Sequence, residues 1–448
     1  MNALIVAALL TAAPSPAPTR LTLEEVRTQG RQSTTALQAA LDLAVAQEDV
    51  NVSRSALLPQ LSVNASVGKN WFGRRKSFNL VPDPNNPGEF VQIPVESAPT
   101  STGDYDLGFI LNQVIYDRAR WKQLEQSGVL RDAQKNQALE ETDTSELEAI
   151  RRFFTLFRSQ ATRQVLEATV KRSEEQLDRA RSLFQAGRVG KVEEISALVN
   201  LGNDRISFVQ SYTQLVTDQT QLAVWLTRPG TEPLEAVDPG VLNEEPAPAP
   251  TIEQAIESAR EKRPVLKALQ LQVRSAELQR AIARADYLPV LSARGLYTRQ
   301  GPDAEQVFTE PRLQNNFLGS INLDWNVFNG FITPAQTRRA EATIRKAQLT
   351  LAQSAREIEG EVRTAHQSLE AQIVAARLSA ENKEAAIQGL RLAEERFKAG
   401  AGSTLEVRDA QLSLTQAELS LLENRIDVEI ARFSLLRAMG ALSPGETK

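Results

Sequence analysis

The spacing of hydrophobic positions along this chain switches between helical and strand periods, and the switches come twice in the same order. Over residues 22–57 apolar side chains recur at helical spacing, with Leu37, Leu41 and Ala44 on one face, and Pro59 ends the run. Strand alternation follows, with Leu61, Val63, Ala65 and Val67 against Ser62, Asn64, Ser66 and Gly68. A loop rich in Pro, Asn and Gly is expected over 73–102. Alternation then resumes at Tyr105, Leu107, Phe109 and Leu111, which predicts a hairpin over about 59–116. Residues 118–186 contain no proline and a single glycine, Gly128, and Ile150, Phe153, Phe154 and Phe157 mark a helical seam. A helix of that length is about 100 Å long at 1.5 Å per residue. Gly187 and Gly190 break it, and another helix is expected over 191–226.

The same order returns after a linker. Six prolines between Pro229 and Pro250 exclude regular structure from 228–250. A helix is then expected from 251 to about 286, a hairpin over about 289–329, a long helix over 334–399 and a last helix over 403–439. The chain therefore divides into a first repeat (22–227) and a second repeat (251–440), with 441–448 as a tail. Two short motifs mark the duplication. Leu58-Pro59-Gln60-Leu61-Ser62 matches Leu288-Pro289-Val290-Leu291-Ser292, and Phe184-Gln185-Ala186-Gly187 matches Phe397-Lys398-Ala399-Gly400. The second hairpin is shorter, and the whole difference lies between its paired strands, where loops tolerate length change. The long helix keeps its length, as a rod that must reach a fixed depth beside its neighbours would.

The strand faces carry the strongest chemical signal. Ile321, Leu323, Trp325 and Val327 alternate with Ser320, Asn322, Asp324 and Asn326, so one face is apolar and the other fully polar. In a transmembrane barrel the first would meet lipid and the second a water-filled lumen. Trp71, Tyr297 and Trp325 are candidate membrane-interface aromatics. Four strands cannot close a barrel, and open edges in lipid leave backbone groups unpaired, so further copies of the chain must complete it.

Composition narrows the function classes. Charged residues are 24% of the 448 and nearly cancel to a net −5, a balance suited to long solvated helices and not to nucleic acid, which needs a positive stripe. With no Cys, disulfides, thiolate metal sites and Cys nucleophiles are impossible. The only His, His366, is expected to be an exposed helix residue with no nucleophile beside it. No enzyme activity, cofactor or metal is expected. Residues 1–17 have the short apolar core of an export signal, too short to span a bilayer, and no other stretch is apolar enough for a transmembrane helix.

In the repeated Leu-Pro-x-Leu-Ser lead-in, the Trp325-Asn326-Val327-Phe328-Asn329-Gly330 strand exit and the two Phe-x-Ala-Gly turns, the chain resembles the TolC-type outer-membrane efflux proteins from about Thr22 to Met439. The resemblance implies a mainly helical fold with transmembrane β-structure. In it a long antiparallel α-helical barrel, the periplasmic tunnel, is continuous with a β-barrel to which each chain gives two hairpins. It implies a homotrimer in the cell outer membrane, reaching through the periplasm to a periplasmic adaptor and an inner-membrane transporter. The helix tips would form the entrance, with adaptor docking at Phe184, Gly187, Val189 and Gly190 and at Phe397, Gly400 and Gly402. An acidic ring at the entrance would fall on Glu406 and Asp409, with Glu193 at the matching place of the first tip. The chain departs from the family where a basic second-tip residue can bond across to a first-tip acid, because Gly402 stands there. The function expected is a passive exit duct of a tripartite efflux or type I secretion system. The alternative is a periplasmic coiled-coil scaffold or adaptor whose hairpins are buried on helices.

Overall fold

The computed structural model describes residues 18–83, 86–240, 248–310 and 315–442. The expected export signal and most of the tail lie outside them. The first half runs β1 (Thr19–Leu21), α1 (Leu23–Gly30), α2 (Thr34–Ser55), β2 (Gln60–Phe72), β3 (Arg75–Pro82), β4 (Phe90–Ser97), β5 (Thr100–Tyr116), α3 (Arg118–Gln185) and α4 (Lys191–Trp225). The second runs β6 (Leu234–Ala236), α5 (Ile252–Lys262), α6 (Pro264–Ala285), β7 (Val290–Gly301), α7 (Ala304–Phe308), β8 (Asn315–Asp324), α8 (Ile332–Lys398) and α9 (Thr404–Ala438). Among the described residues no helix is long and apolar enough to cross a membrane. The chain forms two compact units, one of Met1–Ala44, Asp132–Leu271 and Gln348–Lys448, the other of Val45–Arg131 and Gln272–Ala347.

The first unit is helical. Its main core gathers on the α3 seam, where Ile150, Phe153, Phe154 and Leu156 are fully buried with Leu222 of α4 and Ile426 of α9. Each such side chain stabilises the fold by about 1.5–3 kcal/mol through apolar burial. Leu21 and Leu234 reach the same core from a short parallel pair, with Thr19 opposite Leu234 and Leu21 opposite Ala236. The linker thus holds a strand within the span where its prolines were expected to exclude one. Pro233 precedes that strand and leaves its ladder donors intact. A second core packs Val362, Leu369 and Ala376 of α8 against Ala255, Ala259 and Leu435. The same unit holds buried ions. Glu146 of α3 is fully buried and bridges Arg27 Nε at 2.8 Å and Arg31 Nε at 2.7 Å. Arg263 donates to Glu140 at 2.7 Å and Glu361 at 3.1 Å.

Three further expectations are corrected here. The first helix of each repeat is broken in two. At Gly30, an added Cβ would lie 2.5 Å from the Ala149 Cβ, so the chain turns there and restarts after Ser33, whose Oγ accepts from Ala36 N. In the second repeat Pro264 opens α6, the helix position where a missing N–H is harmless, and so ends α5 before it. His366 is buried, not exposed, with Nε2 2.7 Å from the Pro250 carbonyl.

The second unit carries an antiparallel sheet in the order β2-β5-β7-β8. Up to a register shift between Val114 and Tyr116, odd-numbered positions share one face: Leu61 opposite Leu111, Val63 opposite Phe109, Phe109 opposite Tyr297, and Tyr297 opposite Phe317. Even positions carry Asn64, Asn70, Asp104, Asp106 and Asn322 on the other face, interrupted by one apolar row of partners, Ile110, Leu296 and Leu318. Among the described residues no helix covers the apolar face at the sheet edges, where Leu61 is 69% exposed and Ile321 72%. β8 stops at Asp324, short of the hairpin end expected near 329. Asp324 pairs with Val290, and the next residue on the partner strand, Pro289, cannot donate to a ladder. The loop expected over 73–102 contains a second hairpin, β3 paired with β4. Phe78, Leu80 and Pro82 alternate there with Ser77 and Asn79, and Val81 breaks the polar set.

Candidate functional site at the helix tips

Both long helices end the same way. In the first tip Gly187 N donates to Phe184 O at 2.9 Å and Arg188 N to Leu183 O at 2.9 Å, with Gly187 at φ 67°. In the second, Gly400 N donates to Phe397 O at 3.1 Å and Ala401 N to Arg396 O at 2.9 Å, with Gly400 at φ 73°. This paired closure satisfies the last carbonyls of the helix and requires a left-handed residue, which explains the repeated Phe-x-Ala-Gly. The restarts differ. Gly190 opens α4 with no side-chain cap, whereas the Ser403 hydroxyl accepts from Glu406 N at 3.2 Å at the start of α9.

The structure joins some of the expected residues and separates the roles of others. Val189, Phe397, Gly400 and Gly402 line one cleft of about 720 Å³ between the two tips. Phe184 is turned elsewhere, with Lys191 Nζ 4.9 Å from its ring centre. Gly187 and Gly190 have open space around them, but Gly402 does not: a Cβ there would sit 3.1 Å from Glu406 Oε2 and 3.2 Å from Phe397 N. Glu193 accepts a hydrogen bond from the Thr404 hydroxyl, so an acid of the first tip is tied to the second tip even though Gly402 offers no cation. Glu406 is half-buried and paired with Arg396 at 3.0 Å, while Asp409 is exposed and, among the described residues, has no ion-pair partner.

The family model for outer membrane efflux proteins matches residues 31–227 and 255–441 of this chain. The chain belongs to that family. It is 23% identical over 439 residues to the outer membrane protein TolC of Vibrio cholerae, covering 94% of this chain and 91% of the relative. Its fold is similar to the outer-membrane channel CmeC of Campylobacter jejuni, with a TM-score of 0.72 at 15% identity over 94% of this chain and 86% of that one. It is also similar to VceC of Vibrio cholerae, with a TM-score of 0.72 at 13% identity over 94% and 97% of the two chains. The fold is therefore the TolC-like channel fold, with helical tunnel and β-barrel parts, and the protein is an outer-membrane efflux channel.

Within this efflux channel protein the three candidate aromatics sit towards the ends of their hairpins. Trp325 follows β8 at the end where the helices join, its indole N–H donating to Tyr287 O at 3.2 Å. Trp71 lies at the opposite end of β2 on the apolar face, and the Tyr297 hydroxyl bonds Asn315 at the start of β8. Two ionic contacts near the tips escaped the sequence reading. One is the Arg396 that neutralises Glu406. The other is a bidentate bond from Arg408 to Asp204 at 2.8 and 2.9 Å, with Ser173 donating to the same carboxylate. A signal for the second was present: Asp204 continues the buried Ala197 and Leu201 seam of α4 at helical spacing. An acid on a buried seam needs a partner.

Proposed function

We propose that this protein is the passive exit duct of a tripartite efflux or type I secretion system, assembled as a homotrimer. Each copy contributes its four strands to one closed barrel and its helices to one tunnel. The observation that carries the reading is a sheet with one apolar, exposed face and two unpaired edges, β2 and β8. In lipid such edges are tolerable only when neighbouring copies pair them. The family membership and the channel folds of similar structures support the same assembly. The Trp71, Tyr297 and Trp325 side chains then anchor the two membrane interfaces. The cleft between the tips takes a periplasmic adaptor, which connects the duct to an inner-membrane transporter that supplies the energy.

At the entrance Asp409 is the acid with an uncompensated charge, Glu406 is held by Arg396, and Glu193 fastens the two tips together. Copies around one axis repeat these charges, and the local field favours cations. Conductance in planar bilayers tests this at low ionic strength, because at 0.1 M the screening length is already about 10 Å. Asp409→Asn should reduce cation preference, and Glu406→Gln combined with it should abolish it. Arg396→Gln should act oppositely, releasing the Glu406 carboxylate and raising cation preference. An ion preference unchanged in all of these removes the acidic-entrance assignment, and a protein that forms no conducting oligomer removes the duct.

A further inference from the structure

We propose that the hairpin end of the sheet carries a binding site for the phosphates of an anionic lipid headgroup, formed by Lys69, Arg74 and Arg75 with Trp71 and Phe72. The inference rests on the strands crossing the outer membrane. β2 begins at Gln60, directly after α2, and ends at Phe72, so this segment lies at the end of the sheet opposite the helix junctions. Thirteen strand residues extend about 40 Å at 3.3 Å each, enough to traverse the hydrocarbon core at barrel tilt. If the helices stand in the periplasm, residues 69–76 stand at the outer leaflet.

The cations there are unused. Lys69, Arg74 and Arg75 are exposed, and among the described residues none has a carboxylate partner or a side-chain hydrogen bond; only Lys76 is paired, to Glu96 at 2.9 Å. Register explains why. Lys69 faces Gly103 and Trp71 faces Ser101, while the acids of the neighbouring strand, Asp104 and Asp106, point to the polar face. The aromatics fix the cations instead. Lys69 Nζ lies 5.8 Å from the Trp71 ring centre, and the Arg75 guanidinium lies 4.1 Å from that of Phe72. A stacked guanidinium keeps its edge N–H donors free for bidentate contact with phosphate.

Two features favour a lipid over a free anion. Lys69 and Trp71 continue the apolar face of Leu61, Val63 and Val67, and Trp71 is 73% exposed on it. An acyl chain along that face would bring its own headgroup to the cations, whereas a dissolved anion makes no use of the apolar strip.

Native mass spectrometry of the purified oligomer can count adducts of a bis-phosphorylated outer-leaflet glycolipid supplied in mixed micelles. Neutralising Lys69, Arg74 and Arg75 together to Gln should weaken binding about 100-fold, given roughly a tenfold-or-less factor for each basic residue near a lipid surface. Arg74→Lys with Arg75→Lys, which keeps the charge and loses the bidentate contact, should fall between the parent and the triple variant. Glu96→Gln, which frees Lys76, should strengthen it about five-fold, a gain that a misfolded variant would not show. The same glycolipid stripped of its phosphates should bind the parent as weakly as it binds the triple variant. Equal binding of the two lipids, no loss in the triple variant, or displacement by inorganic phosphate at matched concentration would each overturn the proposal. The triple variant should still conduct in planar bilayers; loss of conduction in the parent itself would mark failure of the duct and not of the lipid site.

Discussion

At the scale of single residues, the two repeats expose where the chain is under local strain. α9 ends with Gly440 at φ 68°, its N–H donating to Arg437 O at 2.9 Å and the next N–H, of Ala441, to Leu436 O at 2.8 Å. α4 ends with the same closure, but Thr227 occupies the left-handed position at φ 60°. A β-branched residue there is strained by roughly 1–3 kcal/mol, partly offset because glycine has more unfolded freedom to lose. Thr227→Gly should therefore stabilise the protein by up to about 1 kcal/mol, read as a higher midpoint in thermal unfolding in detergent. The tip glycines divide in the same terms. Gly400 has a positive φ and open surroundings, so Gly400→Ala should destabilise its turn by about 1 kcal/mol and leave the acids in place. Gly402 has no such φ but is crowded by Glu406, so Gly402→Ala should push that carboxylate off Arg396 and change ion preference more than stability. Single-channel selectivity and thermal midpoint, measured on both variants, separate the two effects. The sequence marked both glycines as tip residues. It could not tell conformational need from close contact, because the neighbour that crowds Gly402 is placed by the turn itself.

At the scale of elements, the periods of hydrophobic spacing located the long helices to within a residue or two but not the breaks in the short ones. The reason is visible in particular residues. α3 has no Pro, and its Ile150, Phe153 and Phe154 are all buried on one seam, so pattern and packing agree. Gly30 and Ser33 are weak punctuation in sequence and become a break only because α3 presses against Gly30. The strand pair β1–β6 joins three residues on each side across more than two hundred positions, too short for any period to reveal. α1 itself is set by a cap. Thr22 Oγ1 accepts from Glu25 N at 3.3 Å, and the Glu25 carboxylate accepts from Thr22 N at 2.9 Å. The backbone N–H of Thr22, and then its side chain, hold the Glu25 carboxyl below the usual carboxylate range. A depressed folded value means that this contribution is fully present above the unfolded carboxylate range and disappears as pH falls through the folded one. Hydrogen exchange of the α1 amides should show protection at neutral pH that declines in acid earlier than that of α3, and Glu25→Gln should remove that difference.

At the scale of the whole molecule, a single chain leaves much apolar surface uncovered. Beyond the sheet, α4 exposes Val192, Ile195, Val199, Ile206, Val209 and Val216, each more than a third exposed. Their spacing of three, four and seven is that of a coiled-coil seam, and within the chain the opposite face of α4 already packs through Ala197 and Leu201. A monomer rarely leaves so continuous a stripe in water. The duplication of sequence accounts for repeated elements inside one chain, but the stripe and the unpaired strand edges both call for contacts between chains. The exposed apolar faces were legible in sequence for the strands, whose alternation gives a face directly. They were not legible for α4, where buried and exposed apolar seams have the same period and only the packing of Ala197 and Leu201 decides which one is free. If the stripe is the seam between copies, Val199→Asp with Ile206→Asp should each remove about 2 kcal/mol of association energy, the size of an interface hot spot. Chemical crosslinking in detergent should then give monomer where the parent gives trimer. Asp409→Asn, which touches the entrance and not the seam, should leave the trimer intact. A trimer that survives both aspartates would move the inter-copy contact away from α4 and leave the strand edges to hold the assembly alone.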